Sequence, residues 1–472
     1  MCGEWRNCAA VILSANDTAS LTVRGFSVRQ SEDQTGVQRV GVKCGFGGIS
    51  VRAALLAAAL CLGGTFCATP ADAQQFAAVE DWMKFDGGND WDPGFDRSFA
   101  QNWETQPAKG YPTLSPANLG HMKAAIKRYA DMVARGGWDK LPLVDLRVGK
   151  THPAVVALRQ RLRAEGDLSG DGGYPEIFDS YVEKAVKVAQ TRNGLAPTGV
   201  VDKPTIMALN VPASARLRQL RTNLTRIESL GAPTKGRYVV VNIPAAQIEA
   251  VENDQVVSRH AGVVGKVDRP TPILQSYIHE VNFNKEWILP PTVIKEDLVP
   301  KARNGAKGYE VFTRYGIDVY TDYGAYSKGR KLDPATVNWS TPAANNLFFA
   351  QKPGDDNPLG FIKINFFNPY SVYMHDTPSK SIFARNVRAE SSGCVRIQNI
   401  PQLAAWLLKD DGWDLTRVNA MKQSGESVSP QVKGRVKLYF AYVTSWATPD
   451  GQAHFRRDLY NRDGVGATAT AY

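Results

Sequence analysis

The spacing of apolar residues changes character along this chain, and each change marks a different kind of element. Between Ala53 and Gly64 the residues are continuously small or apolar (AALLAAALCLGG), with Lys43 and Arg52 upstream. From Pro116 to Gly136 apolar residues recur at helical spacing through Leu119, Met122, Ile126, Tyr129, Met132 and Val133. Residues 146–212 form a compact unit of three predicted helices. Val155, Leu158 and Leu162 line the first; Val182, Ala185, Val186 and Ala189, after a cap at Phe178-Asp179, line the second; Thr205, Ala208 and Leu209 belong to the third. Residues 213–230 read as an amphipathic linker helix ending near Gly231 and Pro233. There the period changes from helical to alternating. Strands are expected at Tyr238–Ile243, Gln247–Val251, Val256–Val264, Phe361–Phe366 and Tyr370–His375, with Asn368-Pro369 as the turn between the last two. A helix around Leu403–Leu408 follows. The interval Glu286–Asn346 is rich in Pro, Lys and Tyr and poorly periodic; a connection that long inside a compact domain is usually functional, and we read it as a lid inserted over an active site.

The predicted fold class is α+β: a β-rich catalytic domain with an inserted lid, a small three-helix domain and a partly helical N-terminal region. The expected boundaries are 1–73 for a signal region, 74–145 for an N-terminal scaffold rich in Trp, Asp, Gly and Pro (Trp82, Trp91, Trp103), and 146–212 for the helical domain. They continue with 213–235 for the linker, 236–460 for the catalytic domain with its lid at 286–346, and 461–472 for a tail. The Ala53–Gly64 run is too short to span a bilayer comfortably, and it leads to Ala71-Asp72-Ala73, a small-residue pattern expected to be cleaved after Ala73. No lipobox precedes Cys61 or Cys67. Because the signal begins late, residues 1 to about 40 are expected to be a mis-assigned translation start, with Val40 or Val42 as the true one.

Composition adds little: 43% apolar and 22% charged residues are ordinary for a globular protein, and the formal charge of +10 suits an anionic polymer without saying which. Cysteine placement says more. Cys2, Cys8, Cys44, Cys61 and Cys67 lie in or before the signal, so the mature chain would carry a lone thiol, Cys394, into an oxidising compartment where an unpaired thiol is a liability. Cys394 stands in Ser391-Ser392-Gly393-Cys394-Val395-Arg396, 19 residues after His375. An imidazole within hydrogen-bond reach of a thiol generates a thiolate at neutral pH and protonates a leaving amine. Gly393, without a Cβ, lets the N–H groups of Gly393 and Cys394 turn toward a developing oxyanion. Arg396 and Tyr373 are placed to orient a carboxylate-bearing substrate or complete an anion pocket. His121, His152, His260, His279 and His454 lack a comparable setting and read as structural. The run Asp167–Gly172 imitates the start of a calcium loop, but Phe178 stands at the twelfth position, so it reads as a turn. No metal-ligand spacing appears, and no metal, cofactor or nucleic-acid partner is expected.

Two resemblances gather these residues together. Gly194-Leu195, Thr198-Gly199 and Asp202-Lys203-Pro204-Thr205, in that order, make residues 146–212 similar to the three-helix peptidoglycan-binding domain found beside wall enzymes. His375, Ser391-Ser392-Gly393-Cys394 and Arg396 make residues from about 236 to 412 similar to the YkuD-type catalytic domain of L,D-transpeptidases. Further matches to the larger Gram-negative members are Asn357–Gly360, Asn368–Tyr373 and His375–Ser379. Ser392 replaces the family's usual histidine before the glycine.

The resemblance implies that Cys394 is the nucleophile and His375 the base, with Gly393, Ser392, Ser391, Tyr373 and Arg396 in the oxyanion or substrate pocket. It also implies a two-step acyl transfer. A tetrapeptide stem is cut after its third residue with loss of D-Ala, and the acyl group passes from the cysteine thioester to a diaminopimelate side-chain amine of a neighbouring stem, giving a 3→3 cross-link in the periplasm. Carbapenem acylation of Cys394 is a further expectation, and association with other wall synthases stays open. Hydrolysis to an L,D-carboxypeptidase product, or attachment of stems to an outer-membrane protein, would use the same chemistry with a different acceptor. From another class, a non-catalytic wall-binding protein would use the helical domain alone.

Overall fold

A computed structural model describes the backbone of Ser27–Glu32 and Gln38–Lys43, and residues 111–464 apart from 171–172, 232–234, 306 and 323–328. The apolar run with its cleavage site after Ala73, the five early cysteines, Trp82, Trp91, Trp103 and residues 465–472 lie outside the described residues. Strands β1 (Ser27–Glu32) and β2 (Gln38–Lys43) pair antiparallel within a unit of their own, residues 1–84.

Among the described residues of the second unit, 85–472, five helices precede the sheet: α1 (Asn118–Ala134), α2 (Ala154–Glu165), α3 (Ser180–Arg192), α4 (Lys203–Leu209) and α5 (Ala213–Leu230). Capping sets their limits. The Asp179 carboxylate accepts the Val182 N–H at 3.0 Å to start α3, and Asp202 accepts the Thr205 N–H at 2.9 Å to start α4. Gly166, at φ 85°, closes α2. Val155, Leu158, Leu162, Phe178, Val186 and Ile206 form the core of α2, α3 and α4.

The main sheet has nine strands in the order β13-β5-β14-β12-β11-β6-β15-β3-β4, and β4 also pairs with β5, so the two ends of the order meet. The members are β3 (Arg237–Asn242), β4 (Gln247–Glu252), β5 (Gln255–Gly265), β6 (Leu274–Phe283), β11 (Ile362–Phe366), β12 (Met374–His375), β13 (Ala389–Ser391), β14 (Val395–Ile397) and β15 (Gln431–Ala441). Strict alternation gives each strand two chemistries. Val239, Val241, Ile364, Met374, Val395 and Ile397 share one core with Leu403 and Leu407 of helix Ile400–Leu408. Tyr238, Val240, Tyr439 and Ala441 point the other way, into a second core with Met122 and Tyr129 of α1 and Leu220 of α5. That second layer belongs to the β15, β3 and β4 end. On β11, β12 and β14 the residues opposite to the core are polar.

The Glu286–Asn346 interval is more ordered than its sequence pattern predicts, and the insertion runs on to Gln351. Strands β7 (Trp287–Ile288), β8 (Ile317–Tyr320), β9 (Lys331–Leu332) and β10 (Phe348–Gln351) form a separate sheet in the order β7-β10-β8-β9. The first and last strands pair with each other, Gln351 opposite Trp287, so the insertion leaves and returns at one place. It has its own core, in which Phe312 stacks on Trp339 at 4.4 Å between ring centres, with Leu298, Val319 and Phe349 around them.

Two other expectations change. The strand expected over Tyr370–His375 is reduced to Met374–His375, because Ser371 takes φ 55° and the Asn368 side chain captures the local backbone. Its amide donates to the Val372 carbonyl at 2.9 Å, and its oxygen accepts the N–H groups of Tyr370 and Val372. The supposed tail from 461 is tied down at its start: the Asp463 carboxylate is buried, accepting from Arg226 and from the Thr444 hydroxyl, both at 2.6 Å.

Candidate active site

The register of three strands builds a row of polar side chains across the sheet. Lys363 of β11 stands opposite both Asn282 of β6 and His375 of β12, and His375 stands opposite Arg396 of β14. The pairing of β12 with β14 is parallel, and the Val395 N–H donates to the Tyr373 carbonyl at 3.0 Å, which sets Cys394, the residue before β14, beside Tyr373. His375 is buried, while Cys394, Lys363 and Arg396 are half-buried. Asp376, just past β12, is buried, accepts an ion pair from Lys380 and lies against Gly360. A Cβ at Gly360 would stand 2.4 Å from that carboxylate, at φ 58° besides, so only glycine fits there.

The loop 391–394 is braced from within. The Ser391 hydroxyl donates to the Cys394 carbonyl at 2.5 Å and accepts the Gly393 N–H at 3.1 Å. Gly393, at φ 113°, has its carbonyl held by the Thr271 hydroxyl at 2.9 Å. Thr271 is held in turn by Tyr460, whose hydroxyl accepts the Thr271 N–H and donates to the Gly265 carbonyl. This corrects two sequence expectations. The Gly393 N–H does not face an oxyanion, because Ser391 takes it. Ser391 is a buried brace of the loop and does not line a substrate pocket. Ser392 is exposed, and its hydroxyl lies 3.0 Å from Arg269, which also forms ion pairs with Glu296 and Asp297 of the insertion. One guanidinium therefore links the lid to the residue two before the cysteine.

The electrostatics differ from the expected thiolate–imidazolium pair. Burial pushes the Cys394 thiol above its ordinary value, although the Tyr373 backbone and hydroxyl, both donating to the sulfur, and the charges of Lys363 and Arg396 act in the other direction. His375 is pushed down to about 3, first by burial and then by the charge of Arg396; the backbone of Asp376 and Pro358 acts in the other direction, and Lys363 adds the smallest downward push. Its Nδ1 lacks a partner with hydrogen-bond geometry. Both directions favour the uncharged forms of thiol and imidazole, with burial the first cause in each case and, for the ring, the charge of Arg396 the second. Tyr373 is itself held by the lid: the Trp287 indole N–H donates to its hydroxyl at 3.1 Å. Burial, first, and the neighbouring sulfur keep that phenol protonated.

Sequence reasoning missed Lys363, Trp287, Arg269 and Thr271. Lys363 had a legible trace, a charged residue at an outward position of an otherwise apolar strand. The other three are joined to the site only by tertiary contacts. Of the other histidines, His260 is buried between the Ser258 hydroxyl and the Gln398 carbonyl and pushed down to about 4 by burial. His279 stacks on Phe367 and His454 on Trp446.

Asp167, in the run that imitates a calcium loop, is occupied by Arg192, 2.6 Å away. Arg192 also pairs with Glu165 at 2.6 Å, Glu165 pairs with Arg161 at 2.7 Å, and the Tyr129 hydroxyl donates to Glu165 at 2.5 Å. Burial alone would raise the Glu165 carboxyl, but Arg161 and Arg192 outweigh it and hold it well below the usual range. Arg192 further donates to the Ala453 carbonyl, so this buried cluster joins the helical domain to the C-terminal hairpin formed by the antiparallel strands Ser445–Ala447 and Ala453–Phe455.

Comparison with known proteins agrees with this division. Residues 236–422 match the family profile described as the L,D-transpeptidase catalytic domain, YkuD, and residues 151–209 match that described as "Putative peptidoglycan binding domain". A curated protein of Haemophilus influenzae named "Putative L,D-transpeptidase" is 31% identical over 246 residues, covering 52% of this chain and 48% of that protein. The chain thus spans about half the length of this curated relative. Among solved structures, an L,D-transpeptidase from Xylanimonas cellulosilytica is 16% identical over 64% of this chain and 98% of that one, with a TM-score of 0.20. One from Stackebrandtia nassauensis is 12% identical over 65% and 98%, with a TM-score of 0.26. An LD transpeptidase in complex with imipenem is 15% identical over 44% and 59%, with a TM-score of 0.22.

Proposed function

From the premise that residues 236–422 are a YkuD-type L,D-transpeptidase catalytic domain, we propose that the protein cross-links peptidoglycan stems through a cysteine acyl-enzyme. The observation that carries this reading is the parallel pairing of β12 with β14, which sets Cys394 beside Tyr373 and His375 opposite Arg396. The Cys394 sulfur attacks the carbonyl of the third residue of a tetrapeptide stem while the neutral imidazole of His375 takes the thiol proton. The tetrahedral intermediate collapses, the carbon–nitrogen bond breaks, and the proton passes to the departing amine of D-Ala. The side-chain amine of a third-position diaminopimelate on a neighbouring stem then attacks the thioester, giving a 3→3 cross-link and returning the thiol. A neutral thiol and neutral imidazole suit this course, because proton transfer accompanies attack and no ion pair need exist beforehand. The lid, held by Trp287 over Tyr373, favours the amine acceptor over water. The helical domain at 151–209 would hold the enzyme on its polymer, in the periplasm after cleavage following Ala73.

Intact-mass analysis after incubation with a carbapenem tests the nucleophile. The β-lactam ring opens as its carbonyl bonds to sulfur, so one adduct of the inhibitor's full mass is expected on wild type and none on Cys394→Ala. Absence of an adduct on both would favour a wall-binding protein without catalysis. Digestion of walls from cells with and without the gene tests the linkage: 3→3 cross-linked fragments should be lost with the gene.

A further inference from the structure

We infer that Lys363 and Arg396 together form a receptor for a carboxylate, so that the enzyme selects donor stems ending in a free carboxylate one residue beyond the bond that is cut. This rests on the transpeptidase reading above and names a determinant of its substrate. The two cations flank His375 in one cross-strand row, Lys363 on β11 and Arg396 on β14. Neither forms an ion pair with a described carboxylate. The Lys363 ammonium lies 4.4 Å from the centre of the Tyr373 ring, whose hydroxyl touches the sulfur, and the Arg396 Nε is buried without a partner.

The carboxylates whose fields reach the two cations are engaged elsewhere. Glu280, which acts on Lys363, accepts from Asn282, Asn365 and Gln431; Glu390, which acts on Arg396, pairs with Arg385 at 2.5 Å. Lys285 adds a third positive charge to the same field. Half-buried cations without counter-ions are costly, and an arriving anion removes that cost. In a tetrapeptide stem the leaving D-amino acid carries the chain's terminal carboxylate, about 3.8 Å in backbone spacing beyond the residue attacked, which suits a receptor flanking the nucleophile. The groups facing His375 are Lys363, Arg396, Cys394, Tyr373 and its neighbour Asp376. Burial is the first cause that holds the ring neutral, and the two cations add to it, Arg396 more than Lys363, so a bound carboxylate offsets the charge part and raises the ring's basicity as the donor docks.

The test uses the full chain and two synthetic tetrapeptides, one ending in D-Ala and one in D-alaninamide, with release of D-Ala or its amide as the readout. Wild type should favour the acid in kcat/KM by about 100-fold, as expected for two charge-assisted contacts. Lys363→Met should narrow that ratio about tenfold, mainly through KM, and Lys363→Arg should restore part of it. An independent readout is alkylation of Cys394 by iodoacetate against iodoacetamide: the anionic reagent should be relatively favoured over its ratio on free cysteine, and Lys363→Met should remove the preference. Equal rates on the two peptides, with an alkylation ratio unmoved by Lys363→Met, would overturn the receptor and leave the transpeptidase intact. If neither peptide is turned over and no carbapenem adduct forms, the transpeptidase reading fails, while the alkylation ratio still decides the receptor.

Discussion

Two clusters of charge inside this protein make an instructive pair. At the joint between the helical domain and the C-terminal hairpin, Glu165, Asp167, Arg161 and Arg192 are buried with each charge matched by an opposite one, at 2.6 to 2.7 Å between the paired atoms. In the row through Lys363, His375 and Arg396, two cations flank a buried ring and no described carboxylate pairs with them. Pairing of the first kind fixes geometry and leaves no capacity for a ligand. Incompleteness of the second kind is tolerated where a ligand supplies the missing charge, and it occurs here beside the lone described thiol. Removing a member of the first cluster should therefore be felt in stability, and removing a member of the second in activity.

Loss of the nucleophile gives the largest expected effect. Cys394→Ala should reduce cross-linking by more than about 10^3-fold with unchanged thermal unfolding, checked by product analysis and calorimetry. His375→Ala should slow carbapenem acylation by about 10^2- to 10^4-fold, the range of a general base, while the fold survives with at most the modest loss expected when a buried side chain is truncated. Glu165→Gln should do the opposite. With Arg161 and Arg192 left short of negative charge, unfolding should become easier by about 3–5 kcal/mol in urea titration, with the acylation rate of the folded fraction little changed. A larger effect on acylation than on stability would break the comparison.

Protonation sharpens it. His260 and His375 bind a proton in the unfolded chain near pH 6.5 but in the folded chain only near 4 and 3. The unfolded state therefore holds more protons as pH falls, and stability should decline below pH 6.5, by up to about 1.4 kcal/mol per pH unit for each histidine. Urea midpoints at pH 7 and pH 5 measure this, and His260→Gln should shrink the difference. The smallest effect concerns the thiol. Alkylation of unliganded Cys394 by iodoacetamide should rise with pH only above the range of free cysteine, with no shoulder near 6.5, since burial raises the thiol and no imidazolium pairs with it. A plateau at neutral pH would restore the ion pair.

How much of this was legible beforehand depended on the range of the forces involved. The caps at Asp179 and Asp202 and the β-branched run Val239–Val241 are local, and the sequence displays them directly. The chemistry of Cys394 and His375 was legible from residue type and spacing. The insertion was not, because its strands run only two to four residues and its longest helical stretch, 291–302, is interrupted by a wider turn at 294–298; Phe312, Trp339 and Phe349 meet only in three dimensions. Tyr370–Tyr373 mimicked a strand, since alternation does not reveal that Asn368 redirects the backbone. The protonation state of the site was illegible for the same reason: it follows first from burial and then, for His375, from the charges of Arg396 and Lys363, which strand register brings to the ring from either side.

The stitching of β7 to β10 has a corollary for modularity. Because Trp287 and Gln351 lie side by side, everything between them is attached to the parent sheet as if at one point. A short turn from Ile288 to Ala350 would close the same gap, so this protein could lose or exchange some sixty residues of cover as a cassette without re-registering any of the nine strands beneath.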